Sequence, residues 1–343
     1  MIRFGPAGIP LSCKGRTLRD GIEDVHNLGL SALEVQFVRL NLTQRFPTED
    51  EIGLTPRKLE DDLVLKIERK EGKGVKEIVN PNSKIEPGDV LYSLTSTIAK
   101  DYNDLAALRT MARDLDVELS LHSPYYMDVL GDDDVVAKSM EGIRMSGLMA
   151  SEMGADTVVT HLGLYGSYSK EEAMKNVESS LKGIVSVLKK SNFAVPLGLE
   201  TTGKQEVFGD LDEIIALTKK VEGTRPVLNM AHIHSRGFGS LKKKEDFDGI
   251  FGKLGKVKGI LHCHFSGVEH EGGNELRYTP IKKGDLRFEP LMESVLDNGL
   301  EVTLIASSPL LEHDAMYMKV IMERLIMRKI TKKKRKKEEP DEH

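Results

Sequence analysis

The sequence predicts an α/β fold, a (β/α)8 TIM barrel, on three observations. Short apolar runs alternate with longer amphipathic runs along most of the 343 residues. Eight such pairs can be read, the number that closes a barrel. Several apolar runs stop abruptly on His or Glu, as barrel strands do where their carboxyl ends open onto a site.

In chain order, the first strand is expected at Ile2–Gly8, followed by a helix at Leu18–Leu28 and a second strand at Ala32–Val38. The alternation then breaks. Leu54–Ser96 contains Asp62–Arg69, which alternates apolar and polar residues with period two. It also contains Ile85–Leu94, where a Pro-Gly turn precedes a β-prone run. This predicts a small β-rich insertion over 54–96, set on the strand-to-helix connection after strand two, on the face where barrel active sites lie.

The regular pattern resumes with a helix at Asp104–Leu115 and a strand at Val117–His122. Helix Asp134–Met153 leads to strand Asp156–His161, and helix Lys170–Lys190 to strand Val195–Glu200. Helix Leu211–Val221 precedes strand Pro226–Asn229, and helix Glu245–Leu254 precedes strand Gly259–His264. Helix Pro290–Asp297, strand Glu301–Ile305 and helix Asp314–Met327 complete the set, with Gly154 and Gly299 as stops after helices. The barrel is thus expected over 1–327. Residues 328–343, a basic block followed by an acidic one, are expected to form a disordered, solvated tail.

Composition narrows the class. Hydrophobic content of 39% with 30% charged residues describes a globular chain, and no window approaches the roughly 18 apolar residues of a membrane span. Residues 1–10 lack the apolar core of a signal peptide, and Cys13 and Cys263 make neither a disulfide framework nor a Cys-x-x-Cys knot. A cytoplasmic address and no membrane partner are expected. The net charge of −5 excludes a protein that coats nucleic acid over its whole surface, while leaving room for a local basic rim.

The strand ends carry the chemistry. Strand three ends on His122, strand four on His161 and strand five on Glu200, inside Val195-Pro-Leu-Gly-Leu-Glu-Thr-Thr-Gly203. Strand six reaches Asn229 with His232 just beyond, and strand seven carries His262 and His264. A lone Glu could cap a turn, and a lone His could be a core residue. Together at the barrel mouth, imidazoles and a carboxylate are the ligand set of Zn2+, with Mn2+ or Fe2+ as alternatives. His262 and His264 share strand parity, with His264 nearer the mouth. His270 and His313 are expected on the surface.

In its order of motifs the chain resembles endonuclease IV (AP endonuclease family 2) and its relatives in the xylose isomerase-like TIM-barrel superfamily. The resemblance spans roughly Met1–Thr43 and Thr97–Met327. It rests on Arg3-Phe-Gly-Pro-Ala-Gly8, His-Ser-Pro-Tyr at His122, His-x-Gly at His161, Glu-Thr-Thr-Gly at Glu200, Asn-x-x-His at Asn229, His-Phe-Ser-Gly at His264 and Ser308-Pro-Leu-Leu-Glu-His-Asp314. The resemblance implies a three-zinc hydrolase that cleaves the phosphodiester beside an abasic site in DNA. His122, His161 and Glu200 match ligands of the first metal. Glu200 would bridge to a second, beside Asn229 and His264, and His232 matches a ligand of the third. Tyr125 matches an aromatic on the DNA-facing rim. Glu200, central to both of the first two metals, is the candidate catalytic residue.

Three positions depart from that pattern. Asn229 stands where the family has Asp, Tyr278 where it has His (with Glu275 the nearest substitute), and Ala306 where it has Glu. One or two ions are therefore expected rather than three. The expected function is a metal-dependent phosphodiester hydrolase with an incomplete multi-metal site. The alternatives are a sugar isomerase or epimerase of the same superfamily acting on a small sugar, and a non-catalytic metal-binding barrel whose insertion holds a protein partner.

Overall fold

The computed structural model describes residues 1–193, 195–255 and 259–338. Eight parallel strands form the barrel: β1 (Ile2–Pro6), β2 (Ala32–Gln36), β7 (Glu118–His122), β8 (Val158–Thr160), β9 (Leu197–Glu200), β10 (Thr224–Asn229), β11 (Leu261–Phe265) and β14 (Val302–Ala306). They pair in the order β1-β14-β11-β10-β9-β8-β7-β2, and a bridge between Ala7 and Glu34 brings the two end strands together. All eight fall where the apolar runs place them.

Helices α1 (Leu18–Asn27), α2 (Tyr102–Asp114), α3 (Asp133–Met153), α4 (Lys170–Lys190), α5 (Leu211–Lys220), α6 (Met230–Arg236), α7 (Lys244–Leu254), α8 (Phe288–Asp297) and α9 (Glu312–Glu338) cover the outside. Their starts follow local chemistry. Thr17, Ser169 and Asp210 each accept from the backbone N–H three residues on, and Asp20, Glu172 and Glu213 reach back in reciprocal capping boxes. Gly154 ends α3 at φ 70°, a left-handed position that a side chain would strain.

Strand alternation sorts the side chains into two sets. Leu119, Leu121, Val158, Leu197, Leu199, Val302 and Leu304 pack outward with the helices in one apolar cluster. The alternate positions point into the barrel. At its floor, Thr303 Oγ1 donates to Glu118 (2.6 Å), which also pairs with Arg3 (3.4 Å). Glu34, Ser120, His122, Glu200, Asn229, His262 and His264 stand above.

The insertion is a four-stranded antiparallel sheet in the order β3-β6-β4-β5, from β3 (Leu42–Arg45), β4 (Val64–Glu71), β5 (Gly74–Ile78) and β6 (Val90–Leu94). Its first strand lies ahead of the expected boundary at residue 54, because Thr43 and Arg45 pair with Ser93 and Leu91. Val64, Ile67, Ile85 and Leu91 form a core of its own, while Leu63, Leu65 and Leu94 join the barrel's core. Lys66, 6% exposed, reaches Glu141 of α3 at 2.8 Å, and Arg57 forks onto Glu152 of the same helix.

Two further expectations change. The basic stretch from residue 328 is not the disordered tail its charge suggests, since α9 continues through it to Glu338. Lys, Arg and Met are good helix formers, and no Gly or Pro interrupts before Pro340. Residues 339–343 of that tail lie outside the described residues. A hairpin absent from the expected elements follows β11: β12 (Gly267–Glu271) and β13 (Asn274–Thr279), joined at Gly272 and Gly273, both at positive φ.

Among the described residues, no helix is long and apolar enough to cross a membrane. Cys13 and Cys263 are buried and unpaired.

Candidate metal centre

His122 ends β7, and its Nδ1 lies 2.7 Å from the Ser123 carbonyl. That contact keeps a proton on Nδ1 and aims Nε2 at Glu200 Oε2, 3.1 Å away. His161, one residue past β8, brings its Nε2 to 3.4 Å from the same oxygen, with its ring 5.1 Å from that of His122. Four-coordinate zinc at about 2.0–2.1 Å from each ligand sets neighbouring ligand atoms roughly 3.3–3.5 Å apart. Ligand atoms of all three side chains lie within 4.8 Å of one another, so the trio could hold one divalent cation.

Glu34 is the residue that sequence reasoning missed. It sits on β2, 1% exposed, with Oε2 2.8 Å from His264 Nε2 and 3.2 Å from His262 Nε2, while Gln36 donates to its Oε1 (3.0 Å). The available signal was a carboxylate between Leu33 and Val35, in a run otherwise built for burial. His264 faces both carboxylates, since its Nδ1 lies 2.8 Å from Glu200 Oε1. His262 lies deeper, 5.3 Å ring to ring from His264.

Asn229 is at the site but presents its amide nitrogen. Nδ2 donates to Glu200 Oε1 (2.9 Å) and to the Tyr278 hydroxyl (2.8 Å), while Oδ1 accepts from the His232 backbone N–H (3.2 Å) and caps α6. Both nitrogens of His232 are also engaged. Nδ1 meets the Thr201 carbonyl at 2.6 Å; Nε2 meets Glu275 at 2.8 Å and Tyr278 at 2.6 Å. The β12–β13 hairpin delivers Glu275 and Tyr278 to this position.

Ala306, which stands where the family has Glu, does not face the site. It is in register with Phe265, whose ring packs edge-on against Phe288 of α8, so both point outward into the apolar cluster. Ile305 and Ser307 have the inward parity, and Ser307 borders the mouth.

Electrostatics follow from burial among opposed charges. Burial works against ionising Glu200, but His161, His264 and His122 hold its carboxyl well below the ordinary range. Glu34 behaves alike: burial opposes its charge, and His264 and His262 overcome it. Burial lowers His161 to about 4, so its imidazole is neutral near pH 7. Burial also disfavours a charge on His264, yet Glu34 and Glu200 raise it to about 10. Burial and then Glu275 push the Tyr278 hydroxyl well above its ordinary value.

A mouth cavity of about 280 Å³ is bordered by Glu34, His122, His161, Glu200, His264 and Tyr278. Beside it lies a cleft of about 550 Å³ that shares Tyr125 and His161. Tyr125 is 73% exposed at the rim, edge-on to Tyr126. His313 is exposed as expected, but His270 is not a free surface residue. Its ring packs perpendicular to that of His234, and both approach Asp285. His234 Nδ1 accepts from the Leu241 N–H (3.1 Å), which leaves the proton on Nε2 to donate to Asp285 (3.0 Å). His234 and Asp285 thus form a hydrogen-bonded strut between α6 and the loop before α8, with His270 of β12 packed against it.

Comparison with known proteins agrees with the fold. The profile of the family described as Xylose isomerase-like TIM barrel matches residues 92–313. An uncharacterized protein of Methanocaldococcus jannaschii is 29% identical over 209 residues, which cover 59% of this chain and 76% of that one. A protein named Probable endonuclease 4 from Mesomycoplasma hyopneumoniae (strain 7448) is 25% identical over 224 residues, 62% of this chain and 76% of the relative. Among solved structures, endonuclease IV from Thermus thermophilus superposes with a TM-score of 0.59 at 17% identity, covering 95% of this chain and 99% of that one. A D-tagatose 3-epimerase-like protein gives 0.53 at 21% identity, covering 68% and 85%.

Proposed function

The chain belongs to the Xylose isomerase-like TIM barrel family, and on that footing we propose that it is a metal-dependent phosphodiester hydrolase of the endonuclease IV type, acting on DNA at an abasic site. The observation that carries this reading is the convergence of His122 Nε2, His161 Nε2 and Glu200 Oε2 on one point at the barrel mouth. Relatives named Probable endonuclease 4 support the substrate class.

A divalent cation held there, zinc by its ligand set with manganese or iron as alternatives, supplies Lewis acidity toward a phosphoryl oxygen and lowers the pKa of a water. The chain's own residues do the rest. Glu200 would offset the charge of a cation held there. Ser123 fixes the His122 tautomer. Tyr278 keeps its proton at neutral pH, on a hydroxyl at the cavity wall that accepts from Asn229 Nδ2 and meets His232 Nε2. Tyr125 offers a flat, solvent-facing ring on which an unstacked base can rest. The test is a nicking assay on a duplex with one abasic site, with an intact duplex as control. Cleavage confined to the abasic strand is expected, and chelator should abolish it.

One observation favours a second reading. Glu34 and Glu200 place two carboxylates at the mouth, and carboxylates can move the proton at a sugar carbon. A ketose epimerase would incorporate deuterium from solvent at the epimerised carbon. Metal binding with neither activity would leave the barrel as a metal-dependent binding protein.

A further inference from the structure

We propose that Glu34, His262 and His264 form a second divalent-metal site, distinct from the set His122, His161 and Glu200 and joined to it through His264. This rests on the reading of the first site as a metal centre.

Three observations carry it. The first is geometry. Glu34 Oε2 and the Nε2 atoms of His262 and His264 lie within 4.8 Å of one another, with the two contacts to Glu34 at 2.8 and 3.2 Å. All three residues are at least 98% buried, on the inward faces of β2 and β11. Two imidazoles and one carboxylate suit a transition-metal dication such as Zn2+, Mn2+ or Fe2+.

The second is the arrangement around the ligands. Gln36 donates to Glu34 Oε1 and Ser120 Oγ to Oε2 (3.4 Å), which orient the carboxylate so that Oε2 faces the two imidazoles. Glu200 Oε1 sits 2.8 Å from His264 Nδ1, where it takes that nitrogen's proton in a hydrogen bond and leaves Nε2 as the donor to metal. This is the carboxylate–histidine–metal relationship found where a ligand's orientation is fixed from behind. Glu34 and His264 border the mouth cavity, so a cation has a route in.

The third is charge. Glu34 and Glu200 are 1% and 2% exposed, and among the described residues every ion pair either makes is to a histidine, never to Lys or Arg. Buried carboxylates require compensation by a partner charge or a metal. Asn229 cannot supply a second oxygen ligand beside Glu200, because its Oδ1 is held by the His232 N–H and its amide NH2 faces the carboxylate. Glu34 supplies that negative oxygen from another strand.

The experiment is metal content by elemental analysis after equilibration with excess Zn2+ and gel filtration. It compares the full chain with Glu34→Gln and His161→Ala, each checked for folding by circular dichroism. Two ions per chain are expected in the parent and one in each variant. If Glu34→Gln does not fold, His262→Gln takes its place with the same expected loss of one ion. A parent that binds one ion, lost in His161→Ala and kept in Glu34→Gln, overturns the second site and leaves the first standing. A parent with two ions, both kept in Glu34→Gln, does the same. An ion kept in His161→Ala and lost in Glu34→Gln supports the second site and removes the first. A parent that binds none overturns both.

Discussion

Glu34 and Glu200, on strands β2 and β9, are bridged by a single imidazole: His264 meets Glu34 through Nε2 and Glu200 through Nδ1, each at 2.8 Å. A proton on each ring nitrogen holds together two buried carboxylates that would otherwise repel. The centre is thus built around two negative groups.

Metal uptake at the Glu34 site should therefore release a proton. His264 is raised to about 10, so below that pH it carries a proton that a cation on Nε2 must displace. The sign is fixed: affinity rises with pH up to that value and falls on acidification, by about tenfold per pH unit for one proton. Calorimetric titration with Zn2+ in buffers of different ionisation heat reads the protons released. Uptake with no proton release would contradict the bridging arrangement.

Glu200→Gln should leave the barrel folded, because the amide is the same size and can keep a contact with Asn229. It should weaken metal binding by more than about 100-fold, beyond what loss of a supporting partner costs. Dialysis against a graded chelator followed by elemental analysis measures this. Metal retention equal to the parent's would remove Glu200 from the centre.

Ala306→Glu should gain no metal and should cost stability. The new carboxylate would enter the apolar cluster between β14 and the helices, at a penalty of about 3 kcal/mol or more. Urea denaturation reads the loss. A variant as stable as the parent with one additional ion would show that position 306 does face Glu200.

Lys66 ties the insertion to α3 through Glu141, with Glu68 and Glu77 close by. Those acids are about a quarter to a half exposed, so screening reduces what the pairs contribute. Lys66→Met should destabilise by about 1–2 kcal/mol and speed proteolysis within 42–94 ahead of the barrel. Deleting 54–96 alone should be far more damaging, since it leaves β3 without β6 and removes Leu63, Leu65 and Leu94 from the barrel's core.

The barrel and the convergence of His122, His161 and Glu200 could be read from the chain because both are written in short-range pattern. Strand and helix periods are local, and His122, His161 and Glu200 each close an apolar run. Glu34 escapes such a reading because it lies mid-strand, and its partners His262 and His264 are more than 220 residues away. The expected place of Ala306 is off by one residue, which in a strand reverses the face. The hairpin that brings Tyr278 and Glu275 to His232 is visible in Gly272-Gly273 between β-prone runs, but where it lands depends on the finished barrel. As a residue type Asn229 can offer an oxygen ligand; only the His232 N–H it caps shows which end of the amide faces Glu200.

The most direct test of the metal centre is anomalous diffraction at the zinc edge from crystals grown with Zn2+. The predicted result is a peak about 2.0–2.2 Å from each of His122 Nε2, His161 Nε2 and Glu200 Oε2. A map with no peak there, and with His122 still hydrogen-bonded to Glu200, would contradict it.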